Sequence, residues 1–251
     1  MKDVFANLTD GYSRVARLYP AVLAFLPLFW TALALDPKAL AFNASHLVGV
    51  GLAASAVVAF LTSLARSRGK VIEKQLLDSW GTWMTTIILR HRDGTLDSVT
   101  KGRYHARLQA LYKDVVLPTA AEEAQDSLGA DEKYRAATTR LIELRRDAKY
   151  KMLHKENAQY GFRRNLLGLK PLALTVAVAA AGLTTAVGIL GFTQAGHDLA
   201  ALFADAAARQ LLYVGLCLDI AYMVVFVLFI RPHFVRQAAE EYALALFKTL
   251  D

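Results

Sequence analysis

Residues 211–230 read LLYVGLCLDIAYMVVFVLFI, twenty positions of which only Asp219 is charged. At ~1.5 Å rise per residue, a run of this length crosses a hydrocarbon core of ~30 Å. Lipid offers no water to pair with the backbone, so a segment placed there satisfies its amides internally as a helix. Three further runs have the same character: Leu18–Leu35, His46–Ala65 and Pro171–Phe192. A large soluble core is the competing reading, and four charge-poor runs in a chain of 251 residues argue against it. The expected fold is all-α, a polytopic membrane protein with four transmembrane helices and a helical cytoplasmic domain. Its parts are an N-terminal segment at 1–17, two spans within 18–65, the domain at 66–170, two spans within 171–230, and an amphipathic helix at 231–251.

Charge orients these parts. Residues 66–170 hold 21 Lys and Arg against 13 Asp and Glu, a net of +8, and basic residues flank the neighbouring spans (Arg66, Arg68 and Lys70; Arg163, Arg164 and Lys170). The short connections carry Lys38 against Asp36, and Arg209 against Asp198 and Asp205. The positive-inside rule then puts 66–170 and both termini in the cytoplasm. The first run also has features of a signal peptide, with Lys2, Arg14 and Arg17 before it and Ala32-Leu33-Ala34 near its end. It is read here as a retained span that Pro20 enters and Pro27 kinks.

Within 66–170, apolar residues fall at helical spacing. Ile72, Leu76, Trp80, Trp83 and Ile87 mark one helix, with Leu77, Met84 and Ile88 as a second face and Asp93-Gly94 as its stop. Tyr104, Leu108, Leu111 and Val115 mark another, ending before Pro118. The stretch 119–131 reads as a loop with short helical pieces. A third helix begins near Asp131, carries Leu141, Leu144, Ala148 and Met152, and continues through Tyr160 toward Leu167. Gly161 and Gly168 are candidate hinges there. After the fourth span, Val235, Ala239, Tyr242, Leu246 and Leu250 form a stripe that docks on this domain or mediates assembly.

Catalytic motifs are missing from the sequence. Ser67-Arg68-Gly69-Lys70 lacks the first glycine and the Ser/Thr of a phosphate loop, and there is no nucleophile elbow or metal-ligand spacing. Cys217 is the single cysteine, so the chain forms no internal disulfide. The expectation is a protein that is not an enzyme and uses no cofactor. Basic residues are more informative. Arg90, Arg92, Lys101, Arg103 and Arg107, with Tyr104 and His105 among them, lie on either side of the turn at Gly94, and a helical hairpin would bring them together. Clustered guanidiniums suit phosphate, which points to a nucleotide or short oligonucleotide ligand. Two other readings are ordinary positive-inside bias and attraction to anionic lipid headgroups. Asp219 at mid-span should face protein or water. It either lines a pore or gate with Leu216, Ile220 and Val224, or forms an interhelical hydrogen bond with Thr184 or Thr185. Small residues in two spans (Gly51 and Ser55; Ala177, Ala181, Gly182, Gly188 and Gly191) permit close helix packing or oligomerisation.

The four spans, the basic insert from Arg66 to Lys170 and the Trp80-Gly81-Thr82-Trp83 to Arg107 region give a layout that resembles transmembrane effectors of bacterial anti-phage systems. These include the four-helix effectors of cyclic-oligonucleotide signalling and the membrane toxin of the Hailong system. The resemblance implies a homo-oligomeric pore in the bacterial inner membrane, controlled by a nucleotide-type ligand and accompanied by a partner nucleotidyltransferase. The rivals are a small transporter, disfavoured by the lack of an internal repeat, and a membrane-anchored sensor or scaffold that recruits a cytosolic partner.

The orientation is testable by labelling in a Cys217→Ser background. A cysteine at Ser127 should react only after the inner membrane is breached, and cysteines at Asn43 or Gln194 should react from outside. The reverse pattern contradicts the topology.

Overall fold

The computed structural model describes residues 10–35, 47–112, 115–192 and 206–251. Among these residues the regular structure is entirely helical. The helices are α1 (Gly11–Leu35), α2 (Leu47–Trp80), α3 (Met84–Leu89), α4 (Ser98–Leu111), α5 (Ala120–Gln125), α6 (Ser127–Leu144), α7 (Lys151–Phe192), α8 (Ala206–Phe229) and α9 (Pro232–Lys248). Among the described residues three segments are long and apolar enough to cross a membrane: Gly11–Leu35, Lys151–Leu190 and Arg209–Phe229. The block His46–Ala65, expected as a further span, falls partly outside the described residues: its backbone from Leu47 onward is the first part of α2. The expected outward connections also lie largely outside them. Large apolar side chains stand exposed along these helices, among them Phe29, Phe60, Val178, Ile189, Tyr213 and Phe229. A water-facing surface rarely carries so many, whereas lipid accommodates them.

The chain divides into two compact units, Met1–Lys70 with Arg164–Arg231, and Val71–Arg163 with Pro232–Asp251. Helices α2 and α7 each contribute to both, and the division falls after Lys70 and before Arg164. The C-terminal helix belongs with the second unit.

In the first unit α1 runs unbroken through Pro20 and Pro27. Proline has no amide hydrogen to give the preceding turn, so the carbonyls of Ala16 and Leu23, each four residues earlier, lose their usual donor. A π-helical turn at Arg14–Leu18 precedes Pro20, and Asn165 Nδ2 of α7 donates to the Ala16 carbonyl at 2.6 Å. Tyr222 Oη of α8 donates to the Leu23 carbonyl at 2.9 Å. Each proline thus becomes a docking point for another helix. The small-residue face of α1 (Ala24, Pro27, Thr31, Ala34) is buried. It packs on the α8 stripe of Leu212, Gly215, Asp219, Tyr222 and Phe226, with Gly215 passing close to the Ala34 methyl. Trp30 meets Tyr222 edge to face with ring centroids 5.9 Å apart.

Helices α2 and α7 touch at their backbones. A Cβ on Gly168 would lie 2.7 Å from the carbonyl carbon of Arg68, and one on Gly69 would collide with the Asn165 amide. Gly161 and Gly168, expected as hinges, lie inside the unbroken α7, and Gly168 is a close-approach site. At the other end of α8, Lys170 Nζ donates to the carbonyls of Ile230 at 2.8 Å and Val227 at 3.3 Å. A cation there complements the helix C-terminus and pairs its last acceptors.

In the second unit the helix expected to run from Val71 to Asp93 stops at Trp80. Gly81 takes a left-handed φ of 85°, a conformation that costs glycine nothing. The short α3 then buries Met84, Thr85, Thr86, Ile88 and Leu89, and α9 packs on it through Val235, Ala239, Ala243, Leu246 and Phe247. The stretch 119–131, expected as mostly loop, is helical because its caps are strong. Thr119 and Glu122 form a capping box for α5, and Asp126 caps α6 by accepting from Gly129 N at 2.9 Å. The single third helix expected from Asp131 onward is instead two. Asp147 Oδ1 accepts from Lys149 N at 2.9 Å, a local turn that competes with helix and separates α6 from α7.

The helix crossing predicts opposite outcomes for two glycines of α7. Gly168→Val forces α2 and α7 apart and should destabilise the protein by about 1–3 kcal/mol. Gly182→Ala, with nothing within 4 Å of the added Cβ, should shift stability by no more than about 1 kcal/mol. Thermal unfolding of the detergent-solubilised protein checks both.

Candidate functional site

The basic residues singled out in the sequence separate into two groups. The first wires the loop after α3. Arg90 clasps Asp131 with both prongs, Nε to Oδ1 at 2.8 Å and Nη2 to Oδ2. Lys101, buried in α4, donates from Nζ to the carbonyls of Arg90 at 2.8 Å, His91 at 3.4 Å and Asp93. Buried Glu123 accepts from His91 N at 2.7 Å, Arg92 N at 3.4 Å and Tyr134 Oη at 2.8 Å, and Arg92 Nε lies 3.8 Å from its second oxygen. His105 lies within bonding distance, 2.8 Å from Nε2, of the Leu89 carbonyl. A carbonyl only accepts, so that nitrogen carries the proton. The hairpin does bring 90–92 beside 101–105, yet Arg90, Lys101 and His105 spend their donors on this chain.

This burial has electrostatic consequences. Desolvation pushes His105 below the ordinary histidine value, with the bond to Leu89 O opposing and the charges of His91 and Lys101 adding to the shift. For Glu123, burial acts upward but the donors from His91, Tyr134 and Arg92 outweigh it and hold the carboxyl below its usual range. The Tyr134 phenol is pushed up by burial and by the adjacent Glu123 carboxylate.

The second group faces residues 249–251. Arg103, Tyr104 and Arg107 lie on one face of α4. They converge on Asp251, at 3.4 Å from Arg103 Nε, 3.2 Å from Arg107 Nη1 and 3.3 Å from Tyr104 Oη. Arg107 Nη1 also donates to the Leu250 carbonyl. Arg103, Arg107 and Asp251 keep 49%, 41% and 41% of their side-chain surface in contact with solvent. Arg145 holds Thr249, Nε to Oγ1 at 3.1 Å and Nη2 to the carbonyl at 3.3 Å. Thr249 also lines a cavity of about 620 Å³ with Lys149, Tyr150, Lys151, Glu156 and Lys248.

In the first unit Asp219 is fully buried. Its Oδ1 accepts from Trp30 Nε1 at 2.6 Å and its Oδ2 from Thr31 Oγ1 at 3.4 Å. The interhelical hydrogen bond expected for this residue is therefore present, but its partners are on α1. Thr184 and Thr185 donate to the carbonyls of Ala180 and Ala181 in their own helix. Ile220 and Val224 are exposed and Leu216 is half-buried. The four residues do not share one wall, because Asp219 turns toward α1 while Ile220 and Val224 turn away.

Sequence reasoning placed Arg145 in a basic run with Arg140, Arg146, Lys149 and Lys151, and missed Asn165, Tyr222, Trp30 and Asp251. The first two were findable from the prolines, since each carbonyl four residues before Pro20 and Pro27 needs an outside donor. The last two carried no comparable signal. Among the described residues no group of three or more His, Cys, Asp or Glu converges as a metal site would. Comparison with protein-family models, curated proteins and solved structures finds no match for this chain.

The depressed value of His105 fixes a pH dependence. Its unfolded state gains a proton near the ordinary value of 6.5 and its folded state only at lower pH. Its contribution is therefore whole above 6.5 and is lost as pH falls toward the folded value. Wild-type protein should lose thermal stability between pH 7 and 5.5, and His105→Gln should show a shallower slope over that interval. Equal slopes contradict the assignment.

Proposed function

We propose that the chain is a homo-oligomeric membrane effector that forms or gates an ion pathway under control of a nucleotide or short oligonucleotide. In this reading α2 supplies a further span, the second unit and both termini are cytoplasmic, and the protein serves anti-phage defence in a bacterial inner membrane beside a nucleotidyltransferase. The observation that carries the reading is the arginine pair Arg103 and Arg107 with Tyr104. The two guanidiniums are solvent-accessible, and with the buried Tyr104 they already hold a carboxylate, the nearest side-chain equivalent of a phosphate oxygen pair. Arg90, Lys101 and His105 brace the loop and helix that carry that pair rather than form its contact surface, and Arg92 lies beside Glu123.

Two features support coupling from ligand to membrane. Helix α7 begins in the unit that holds the arginines and continues into an apolar span, so a displacement at Lys151 acts on the same helix that crosses the lipid. One face of α8 presents Tyr213, Ile220 and Val224 outward, and in a symmetric assembly such a face lines the axis or closes it by dewetting. Asp219 then serves as the bond that holds α8 to α1, and the wall belongs to Leu216, Ile220 and Val224.

Planar-bilayer recording tests this. Wild-type protein should conduct, with a current that responds to nucleotides. Val224→Lys should shift selectivity toward anions, while Asp219→Asn, which can still accept from Trp30, should leave conductance near wild type. Silence with and without nucleotides sinks the pore. Silence with intact nucleotide binding supports a membrane-anchored sensor instead.

A further inference from the structure

We propose that the Arg103–Tyr104–Arg107 cradle is a phosphate site occupied by Asp251 as an internal competitor, and that a nucleotide phosphate binds by displacing the Thr249–Asp251 segment. This rests on the nucleotide-sensing reading above and adds to it a location and a built-in regulator.

The donor set fits phosphate. Two guanidiniums and a phenol meet at one carboxylate, and Arg103 also lies over the Tyr104 ring with its guanidinium carbon 5.5 Å from the centroid, which holds the pair in register. The cradle is firmly mounted. On the same helix Lys101 is bonded to three carbonyls of the loop after α3 and His105 to the end of α3. Helix α4 therefore keeps its place when Asp251 leaves.

The Asp251 carboxylate, by contrast, is weakly held, because ion pairs this exposed contribute little to stability. A phosphate monoester brings a charge of about −1.5 to −2 and three acceptor oxygens where Asp251 brings one charge and two oxygens. Charge and geometry both favour exchange.

Displacement would also be felt beyond the cradle. Asp251 follows Leu250, whose carbonyl Arg107 holds, and Leu250 follows Thr249, which Arg145 grips and which lines the 620 Å³ cavity. The segment continues from α9, whose buried face packs on α3. A ligand phosphate in the cradle therefore loosens the anchored end of α9.

The test uses the full chain in detergent, in a Cys217→Ser background, with a spin label on Lys248→Cys and with pyrophosphate, ATP, GTP and the dinucleotide pApA as probes. In the parent protein the label should be immobilised and should gain mobility when a binding probe is added. Asp251→Asn should be mobile without ligand and bind that probe roughly tenfold more tightly, equivalent to about 1.4 kcal/mol. Arg103→Glu with Arg107→Glu should be mobile without ligand and bind none of the probes. A label that stays immobile in Asp251→Asn, equal affinities of Asp251→Asn and parent, or no binding of any probe to Asp251→Asn each overturns the competitor. The effector reading fails separately. Nucleotide-gated currents that persist in the double arginine variant would preserve that reading and remove this site, whereas silent bilayers with a ligand-released 249–251 segment would do the opposite.

Discussion

A helix that carries proline in an apolar medium leaves a carbonyl one turn earlier with no donor, and α1 has two such places. In hydrocarbon there is no water to fill the gap, and an unpaired buried acceptor costs about 1–3 kcal/mol or more. The bond that replaces the lost one is modest in itself, about 0.6–2 kcal/mol between membrane helices. The asymmetry decides the architecture. Helix α1 is incomplete alone and becomes complete only when Asn165 reaches Ala16 and Tyr222 reaches Leu23. The Asp219 contact to Trp30 and Thr31 obeys the same logic with the sign reversed, since there a buried carboxylate needs donors and α1 supplies them. The same residues set how closely the helices approach. Asn165 sits where Gly69 leaves no side chain, and Gly168 lets α7 meet the Arg68 backbone one turn further on.

The second unit solves a different problem, an excess of positive charge in a small helical body. Most of its buried cations are spent on backbone carbonyls and on Asp131, so they stiffen the loop after α3 rather than advertise a ligand site. Arg103 and Arg107 on α4 stay accessible, and the carboxylate they share belongs to a residue of the same chain. Charge density in the sequence therefore overstates the available binding surface, because a lysine capping three carbonyls and an arginine holding a phosphate-like group look alike until their partners are known.

The helical class and the runs of apolar residues were legible because period and hydropathy are local properties. So were the stripe of α9 and the pairing of 90–92 with 101–105 across a turn. The helix boundaries were harder. Gly81 ended α2 through a backbone conformation that its neighbours Trp80 and Trp83 disguised, and strong caps at Thr119 and Asp126 turned an apparent loop into helix. For Asp219 the need for a partner was readable and the partner's identity was not, because Trp30 and Thr31 lie 189 and 188 positions away. The grip of Arg103, Arg107 and Arg145 on residues 249–251 is equally remote in sequence, and single-chain periodicity has no means to report it.

The claim that proline-freed carbonyls organise the first unit is tested most directly by a double-mutant cycle on Tyr222 and Pro27. Tyr222→Phe removes only the hydroxyl and keeps the ring stacked on Phe226, at a centroid distance of 4.2 Å. Pro27→Ala returns an amide hydrogen to the turn that ends at Leu23. Unfolding free energies in a single detergent should show Tyr222→Phe costing about 1–2 kcal/mol with proline at position 27 and close to nothing with alanine there. An equal cost in both backgrounds would show that the hydroxyl acts independently of the proline, and would contradict the account.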